Sequence, residues 1–200
     1  GGPSGPPPSD KLDVACIGVG GRGAASVNAC ADHNIVALCD VDDQRGSGSF
    51  KRFPKAKQYR DFRKMLDELD QSIDAVTVGT PDHTHTVAAI DAIRRGKHLY
   101  CEKPLAHSIG EVRALMKAAR THKVVTQLGN QGHSSGSIRS FCEWIWDGAI
   151  GNVTEVHACC NAFPHVYCQI DKLPQLKETH EVPSQLDYDL WLGPAQFRPY

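Results

Sequence analysis

No run of apolar residues in this 200-residue chain approaches the ~18–20 that a membrane-spanning helix needs, which excludes an integral helical membrane protein. Neither sign of charge dominates, since 22 Lys and Arg stand against 23 Asp and Glu and both halves are balanced. Without a basic face, nucleic acid and anionic lipid are not expected partners. Eight cysteines are present, yet no Cys-x-x-Cys pair occurs, so the usual zinc and redox spacings are missing. Cys16, Cys39 and Cys101 lie inside apolar runs and read as reduced, small hydrophobes, which points to a reducing compartment. The opening GGPSGPPPS has no residue that could nucleate a core, so residues 1–10 are expected to form a tail. The first residue is not Met, which leaves room for an upstream targeting signal that was removed. There is no internal repeat.

What is present is an alternation. Leu12–Ile17, Ile35–Cys39, Ala75–Val78, His98–Cys101 and Val124–Leu128 are short apolar runs of strand length. Between them lie helical patterns: Ala24–Cys30, a face of Phe62, Met65, Leu66 and Leu69, and a face of Val87, Ile90 and Ile93. Ser108 with Glu111 is a capping box that opens a helix bearing Ile109, Val112, Leu115, Met116 and Ala119. Strands apolar along their whole length, alternating with amphipathic helices, predict a parallel sheet covered on both faces and joined by right-handed crossovers. The texture changes after Gly129. Ile138, Phe141, Cys142 and Ile145 mark a helix that stops at Gly148, and Val153–Cys159 alternates like a half-wet strand. Residues 161–200 are rich in Pro and aromatics and lack a period. The reading is therefore a nucleotide-binding domain over 11–129 and the incomplete start of a second domain over 130–200.

Gly18, Gly20 and Gly23 form G-x-G-x-x-G between an apolar strand and a helix. Gly18 permits the tight turn, Gly20 lets backbone approach a pyrophosphate, and Gly23 lets helix pack close on strand. Gly21 and Arg22 complete the loop, and the helix start offers N–H groups to the phosphates. Asp40 closes the second strand at the distance expected of the acid that binds a ribose 2′-OH. A carboxylate there repels a 2′-phosphate, so NAD is expected. Arg45 five residues on could attract that phosphate, which keeps NADP possible.

Two other strand ends carry unusual residues. Ala75–Val78 runs into Gly79, Thr80, Pro81, Asp82, His83, Thr84 and His85, and His98–Cys101 runs into Glu102, Lys103 and Pro104. Ligands of open α/β sheets bind outside the carboxyl ends of strands, so both segments should face the crevice of the glycine loop. Each Pro keeps the residue before it out of the helical region, which predicts an extended Lys103 at the strand tip.

The glycine loop, Thr80-Pro81 with His85, Gly96-Lys97-His98 and Glu102-Lys103-Pro104 together resemble the Gfo/Idh/MocA oxidoreductases, in order and spacing from residue 12 to about 160. The ending Leu190–Ala195 with Arg198-Pro199-Tyr200 is similar to a bacterial branch of that family, often exported through a twin-arginine signal. The resemblance implies a Rossmann α/β domain, a doubly wound parallel sheet, followed by an α/β domain with an open, mostly antiparallel sheet. It implies NAD(P)-dependent hydride transfer to or from a sugar, inositol or related polyol. It implies Lys103 beside the nicotinamide and the reacting carbon, Thr80, Pro81 and His85 lining the crevice, and Gln131 at a position that often touches cofactor or substrate. Glu102 is expected to orient Lys103 or to bind the nicotinamide end. Alone, Lys103 would read as a solvated strand-end cation. In this company it reads as the catalytic base and cation, partly desolvated so that its proton can move near neutral pH.

The family's later segment, with a Gly-rich run, an Asp and a His, has no counterpart before Tyr200. His165 and His180 do not match it. His157, Cys159, Cys160, His165 and Cys168 crowd together without a zinc spacing and read as core and surface residues, so no metal is expected. His83 and His85 read as crevice residues rather than a metal pair, and Trp144, Trp146 and Trp191 as packing aromatics. Two other functions stay open at this point: an NAD-dependent glycoside hydrolase that oxidises its sugar transiently, and a non-catalytic nucleotide-binding fragment or subunit. The expected setting is cytoplasmic, or periplasmic after twin-arginine export, with homo-oligomers if the protein is longer.

Overall fold

The computed structural model describes residues 10–158, 174–175 and 178–200. Cα packing divides the chain into two units, one of Gly1–Gly129 with Val182–Arg198 and one of Asn130–Glu181 with Pro199–Tyr200.

The first unit is built on six parallel strands, β1 (Asp13–Ile17), β2 (Asn34–Cys39), β3 (Lys57–Tyr59), β4 (Ala75–Val78), β5 (His98–Glu102) and β6 (Thr126–Gly129). Their spatial order is β3-β2-β1-β4-β5-β6, the order of a dinucleotide-binding Rossmann sheet. The chain reverses direction across the sheet between β1 and β4, which opens a crevice there. Five helices connect the strands: α1 (Gly21–Ala29), α2 (Asp43–Arg52), α3 (Phe62–Leu69), α4 (His85–Arg94) and α5 (Ile109–His122).

Successive side chains of a strand point to opposite faces, and both faces are buried in the central strands β1, β4 and β5, whereas the edge strands β3 and β6 are largely exposed. Ala15, Ile17, Val76, Val78, Leu99 and Cys101 pack with Met65 and Leu66 of α3, Ala89 and Ile93 of α4 and Leu115 of α5. Val14, Cys16 and Leu38 pack on the other side with Val27 of α1 and Phe50 of α2. Full burial of each large side chain contributes about 1.5–3 kcal/mol. The expected capping box forms, with Ser108 Oγ accepting from the Glu111 N–H and Glu111 reaching back to the Ser108 N–H.

Three features depart from the sequence reading. α2 and β3 carry no apolar period. Gly46 and Gly48 interrupt α2, which is held by Asp42 accepting from the Gln44 and Arg45 N–H groups at 2.9 and 3.0 Å. The strand expected over Val153–Cys159 does not form, and residues 153–158 are irregular; among the described residues no neighbouring strand completes a ladder there. Cys159, with Cys160, His165 and Cys168, lies outside the described residues, as does the tail over 1–9.

The third departure is residues 182–198, which the sequence groups with the second domain. They pack on the nucleotide-binding unit instead, because their backbone pairs with the loop after β2. The Asp43 N–H donates to Gln185 O at 3.1 Å, the Asp187 N–H donates to Val41 O at 2.8 Å, and Asp42 and Leu186 form an antiparallel bridge. A short helix α7 (Tyr188–Leu192) follows. Its Trp191 meets the His83 ring edge-on at 5.3 Å, and the His83 Nε2 lies 2.8 Å from the Trp191 carbonyl oxygen.

In the second unit a 3₁₀ turn (Gln131–Ser134) leads to α6 (Gly136–Trp146), capped by Ser135 Oγ accepting from the Ile138 N–H at 3.3 Å. Its expected apolar residues Ile138 and Phe141 are exposed. No strand occurs among the described residues of this unit. Among the described residues no helix is long and apolar enough to cross a membrane.

Candidate functional site

The candidate site gathers at the carboxyl ends of β1, β2, β4 and β5. The Gly18 N–H donates to Cys39 O and the Gly79 N–H to Ile17 O, both at 2.8 Å, so three adjacent strand ends are tied before the loops begin. Gly18 sits at φ +74, and a Cβ on it would lie 2.6 Å from Thr80 N. A Cβ on Gly23 would lie 1.7 Å from Gly18 O, and one on Gly79 2.7 Å from the Gly23 Cα. Gly18, Gly23 and Gly79 therefore let the start of α1 lie directly on the β1 and β4 turns. Gly79 stands in the strand-end segment read from sequence, but its packing role is not visible there, because its partner is 56 residues away in the chain (79 against 23).

The structure reassigns the middle glycines. A Cβ on Gly20 would lie 2.7 Å from Arg45 O, so Gly20 is small to admit α2. The open position is Gly21, at φ +49 with nothing within 4 Å of its Cβ site. Helix α1 begins there with no side-chain cap and no acidic residue in its first turn. The partial positive charge of its uncapped N–H groups is left for an anion.

Asp40 underpins this loop. Its Oδ2 accepts from the Val19 and Gly20 N–H groups at 2.9 and 3.0 Å, and its Oδ1 accepts from the Asp42 N–H at 3.1 Å. Burial pushes the Asp40 carboxyl above its ordinary range, and the three N–H donors oppose that rise. Arg45 is exposed, with its Nε 4.0 Å from Asp42 Oδ2.

Glu102 is 3% exposed and lies under the loop. Its Oε1 accepts from Arg22 Nε at 3.3 Å and from Ser26 Oγ and Tyr100 OH at 3.4 Å. Glu102 thus fastens α1 to the end of β5, and the strand pleat turns Lys103 away from it. Lys103 is exposed, one residue past the last ladder pair of β5. The desolvation expected for it in sequence is not provided by this unit, because a side chain at a strand tip has no layer above it. The Lys103–Pro104 bond is cis.

Pro81 and Thr84 shape the turn after β4, with the Thr84 N–H and Oγ1 both donating to Pro81 O, at 3.0 and 2.9 Å. Thr80 Oγ1 is buried and has no hydrogen-bond partner among the described residues. His85 corrects the sequence reading. It is 1% exposed, with Nε2 2.8 Å from Thr80 O and Nδ1 2.6 Å from Pro104 O. A ring turned wholly to protein carbonyls backs the crevice and does not line it. Gln131 opens the 3₁₀ turn of the second unit. Cys16 and Cys101 are pushed up to about 12 by burial, which makes them inert thiols rather than nucleophiles.

These residues fit a dinucleotide on the chain's own geometry. The uncapped start of α1, the open Cβ site of Gly21, a carboxylate at the β2 tip and an orphan hydroxyl at the β4 tip lie along one row of strand ends.

A sequence profile described as "Oxidoreductase family, NAD-binding Rossmann fold", the GFO_IDH_MocA family, matches residues 12–130. Levoglucosan dehydrogenase of Pseudarthrobacter phenanthrenivorans is 28% identical over 116 residues, covering 58% of this chain and 29% of that protein. The crystal structure of myo-inositol 2-dehydrogenase from Lactobacillus plantarum superposes with a TM-score of 0.66 at 25% identity, covering 72% of this chain and 43% of that one. The structure of GenD2 from gentamicin A biosynthesis in complex with NAD gives a TM-score of 0.64 at 28% identity, covering 74% and 42%. The chain spans less than half the length of these relatives.

Proposed function

The chain belongs to the Gfo/Idh/MocA family of NAD-binding oxidoreductases, and from that premise we propose that it serves hydride transfer between NAD and a hydroxyl-bearing carbon of a sugar, inositol or related polyol. The observation that carries the reading is the row of strand ends: the Gly18–Gly23 loop, Asp40 and Lys103 stand at the tips of β1, β2 and β5 of one sheet. Relatives named for levoglucosan and inositol support the substrate class.

In this reading the uncapped start of α1 from Gly21 and Arg22 onward holds the pyrophosphate, and Gly21 leaves room for it, while the Val19 and Gly20 N–H groups stay on Asp40. Asp40 keeps the loop in shape and accepts from a ribose hydroxyl with a lone pair that its three N–H donors leave over. Thr80 Oγ1 supplies a donor at the next strand end. When bound, the nicotinamide takes or gives the hydride. Lys103 Nζ then has two tasks at the substrate oxygen: to hold the hydroxyl proton as it leaves, and to stabilise the developing negative charge. Lys103 is exposed in this unit, so dinucleotide and substrate bound over it contribute to excluding water from it.

The test is a single-turnover mixture of protein, NAD and a panel of sugars and inositols deuterated at the carbinol carbon. Deuterium on the nicotinamide of the product is the expected result. Aryl-glycoside cleavage without net NADH would move the assignment to elimination chemistry, and NAD binding with no transfer to any of the panel would sink the reading for this chain.

A second expectation concerns cofactor choice. Asp40→Ala removes the ribose acceptor and releases the Val19 and Gly20 N–H groups. NAD affinity should fall about ten-fold, the worth of a hydrogen bond to a charged acceptor, while the preference over NADP narrows. Calorimetric titration with both dinucleotides checks it; an unchanged NAD affinity would show that the carboxylate does not touch the ribose.

A further inference from the structure

We propose that His85 is the positioning residue of Lys103, acting through the Pro104 carbonyl. The inference rests on the hydride-transfer reading of Lys103.

β4 and β5 are laddered only as far as Val78 opposite Cys101. Beyond that pair the two chains separate into the turn that carries Thr80 and Pro81 and the turn that carries Lys103 and Pro104. His85, the first residue of α4, rejoins them. One ring nitrogen lies 2.8 Å from Thr80 O and the other 2.6 Å from Pro104 O, and the ring is 1% exposed. The second contact is on the residue next to Lys103. A neutral imidazole carries one N–H and donates to one of these carbonyls at a time; a ring with both protons donates to both. Either way, Pro104 O and Thr80 O share a single side chain that α4 and the strands hold in place.

The arrangement is specific to the chemistry in one respect. A buried histidine that served only the core would need no tie to the turn bearing the exposed Lys103. This one fixes the Pro104–Leu105 peptide, one residue past Lys103 and beyond the end of the strand ladder, where no backbone–backbone bond between the two turns is present among the described residues. Displacing a catalytic group by about 1 Å costs on the order of 100-fold in rate.

The two ring nitrogens can be separated by substitution. The amide of Asn reaches roughly where Nδ1 stands, towards Pro104 O, and that of Gln roughly where Nε2 stands, towards Thr80 O. If the Pro104 tie positions Lys103, His85→Gln should lower single-turnover hydride transfer on the order of 100-fold. His85→Asn should retain most of it. Affinity for ADP-ribose, which lacks the nicotinamide, should be unchanged in both. An independent readout is the ¹³C-dimethyl resonance of Lys103 after reductive methylation, identified by its absence in Lys103→Met. It should shift when NAD is added to wild type and to His85→Asn, and stay in place in His85→Gln. Equal transfer rates and equal shifts in the two variants would overturn the proposal. Loss of the folded far-UV signal in both would put His85's role in folding and overturn it too. If wild type itself binds no NAD, or Lys103→Met transfers hydride normally, the reading of Lys103 fails instead, and the two failures are distinct.

Discussion

Gly23→Ala is expected to lose dinucleotide binding altogether and to destabilise the nucleotide-binding unit by more than about 3 kcal/mol. The added Cβ would stand 1.7 Å from Gly18 O and 2.8 Å from the Gly18 carbonyl carbon, and both atoms are backbone. No rotamer change relieves such a clash. α1 must lift from the sheet, which opens the packing of Val27 on Val14, Cys16 and Leu38 and breaks the ties of Arg22 and Ser26 to Glu102. Glu102 would then be a buried carboxylate with fewer donors, a cost added to the steric one. The control is Gly21→Ala two residues earlier. Its Cβ site is open, so the cost there is the left-handed backbone alone, about 1–2 kcal/mol. Denaturant unfolding of the two variants beside wild type measures both. Equal destabilisation at the two positions would mean that α1 does not lie on the β1 and β4 turns as described.

Lys103→Met should leave the fold and NAD affinity nearly unchanged while hydride transfer falls by about 10²–10⁴, the usual worth of a general acid–base group. The side chain is exposed, and Met keeps much of its apolar length, so little stability is at stake. What is removed is a proton acceptor and a cation at the reacting oxygen. Single-turnover rates with a deuterated polyol, set beside a calorimetric NAD titration, separate the two effects. A transfer rate within a few-fold of wild type would return Lys103 to a solvated strand-end cation. Loss of NAD binding in step with transfer would make it a binding residue only.

Much of the first unit is legible in sequence because its central strands are buried on both faces. Runs such as VACI and AVTV are therefore apolar but for Thr77, and the glycine loop stands where β1 hands over to α1. β3 and α2 were not legible for the converse reason. β3 is an edge strand of Lys57, Gln58 and Tyr59, and α2 is a polar helix held by the Asp42 cap and by Gly46 packed against Phe50. Val153–Cys159 shows the opposite error: alternation marks a face that a strand could use, but a strand exists only where a neighbour accepts its ladder.

The site divides along the same line. Gly18, Gly23 and Asp40 are expected from spacing because they recur at fixed offsets within one β-α-β unit, although Gly18 and Gly23 also pack on the β4 turn. Glu102 and His85 could not, since what they do depends on partners brought by the fold. Arg22 lies 80 residues from Glu102 and Pro104 19 from His85. A polar residue beside a motif looks as if it faces the ligand, and only burial tells that these two face the protein. Residues 182–198 were misgrouped because backbone pairing of Gln185 and Asp187 with Asp43 and Val41 leaves no pattern in side-chain hydropathy.

The central claim is that the row of strand ends from Asp40 through the glycine loop to Lys103 is a dinucleotide site with its reacting end at Lys103. A crystal structure of the chain with NAD tests it most directly. The expected result is pyrophosphate against the start of α1 at Gly21 and Arg22, a ribose hydroxyl on Asp40 and the nicotinamide ring beside Lys103. Dinucleotide bound elsewhere, or bound with its adenine at Lys103, would contradict it.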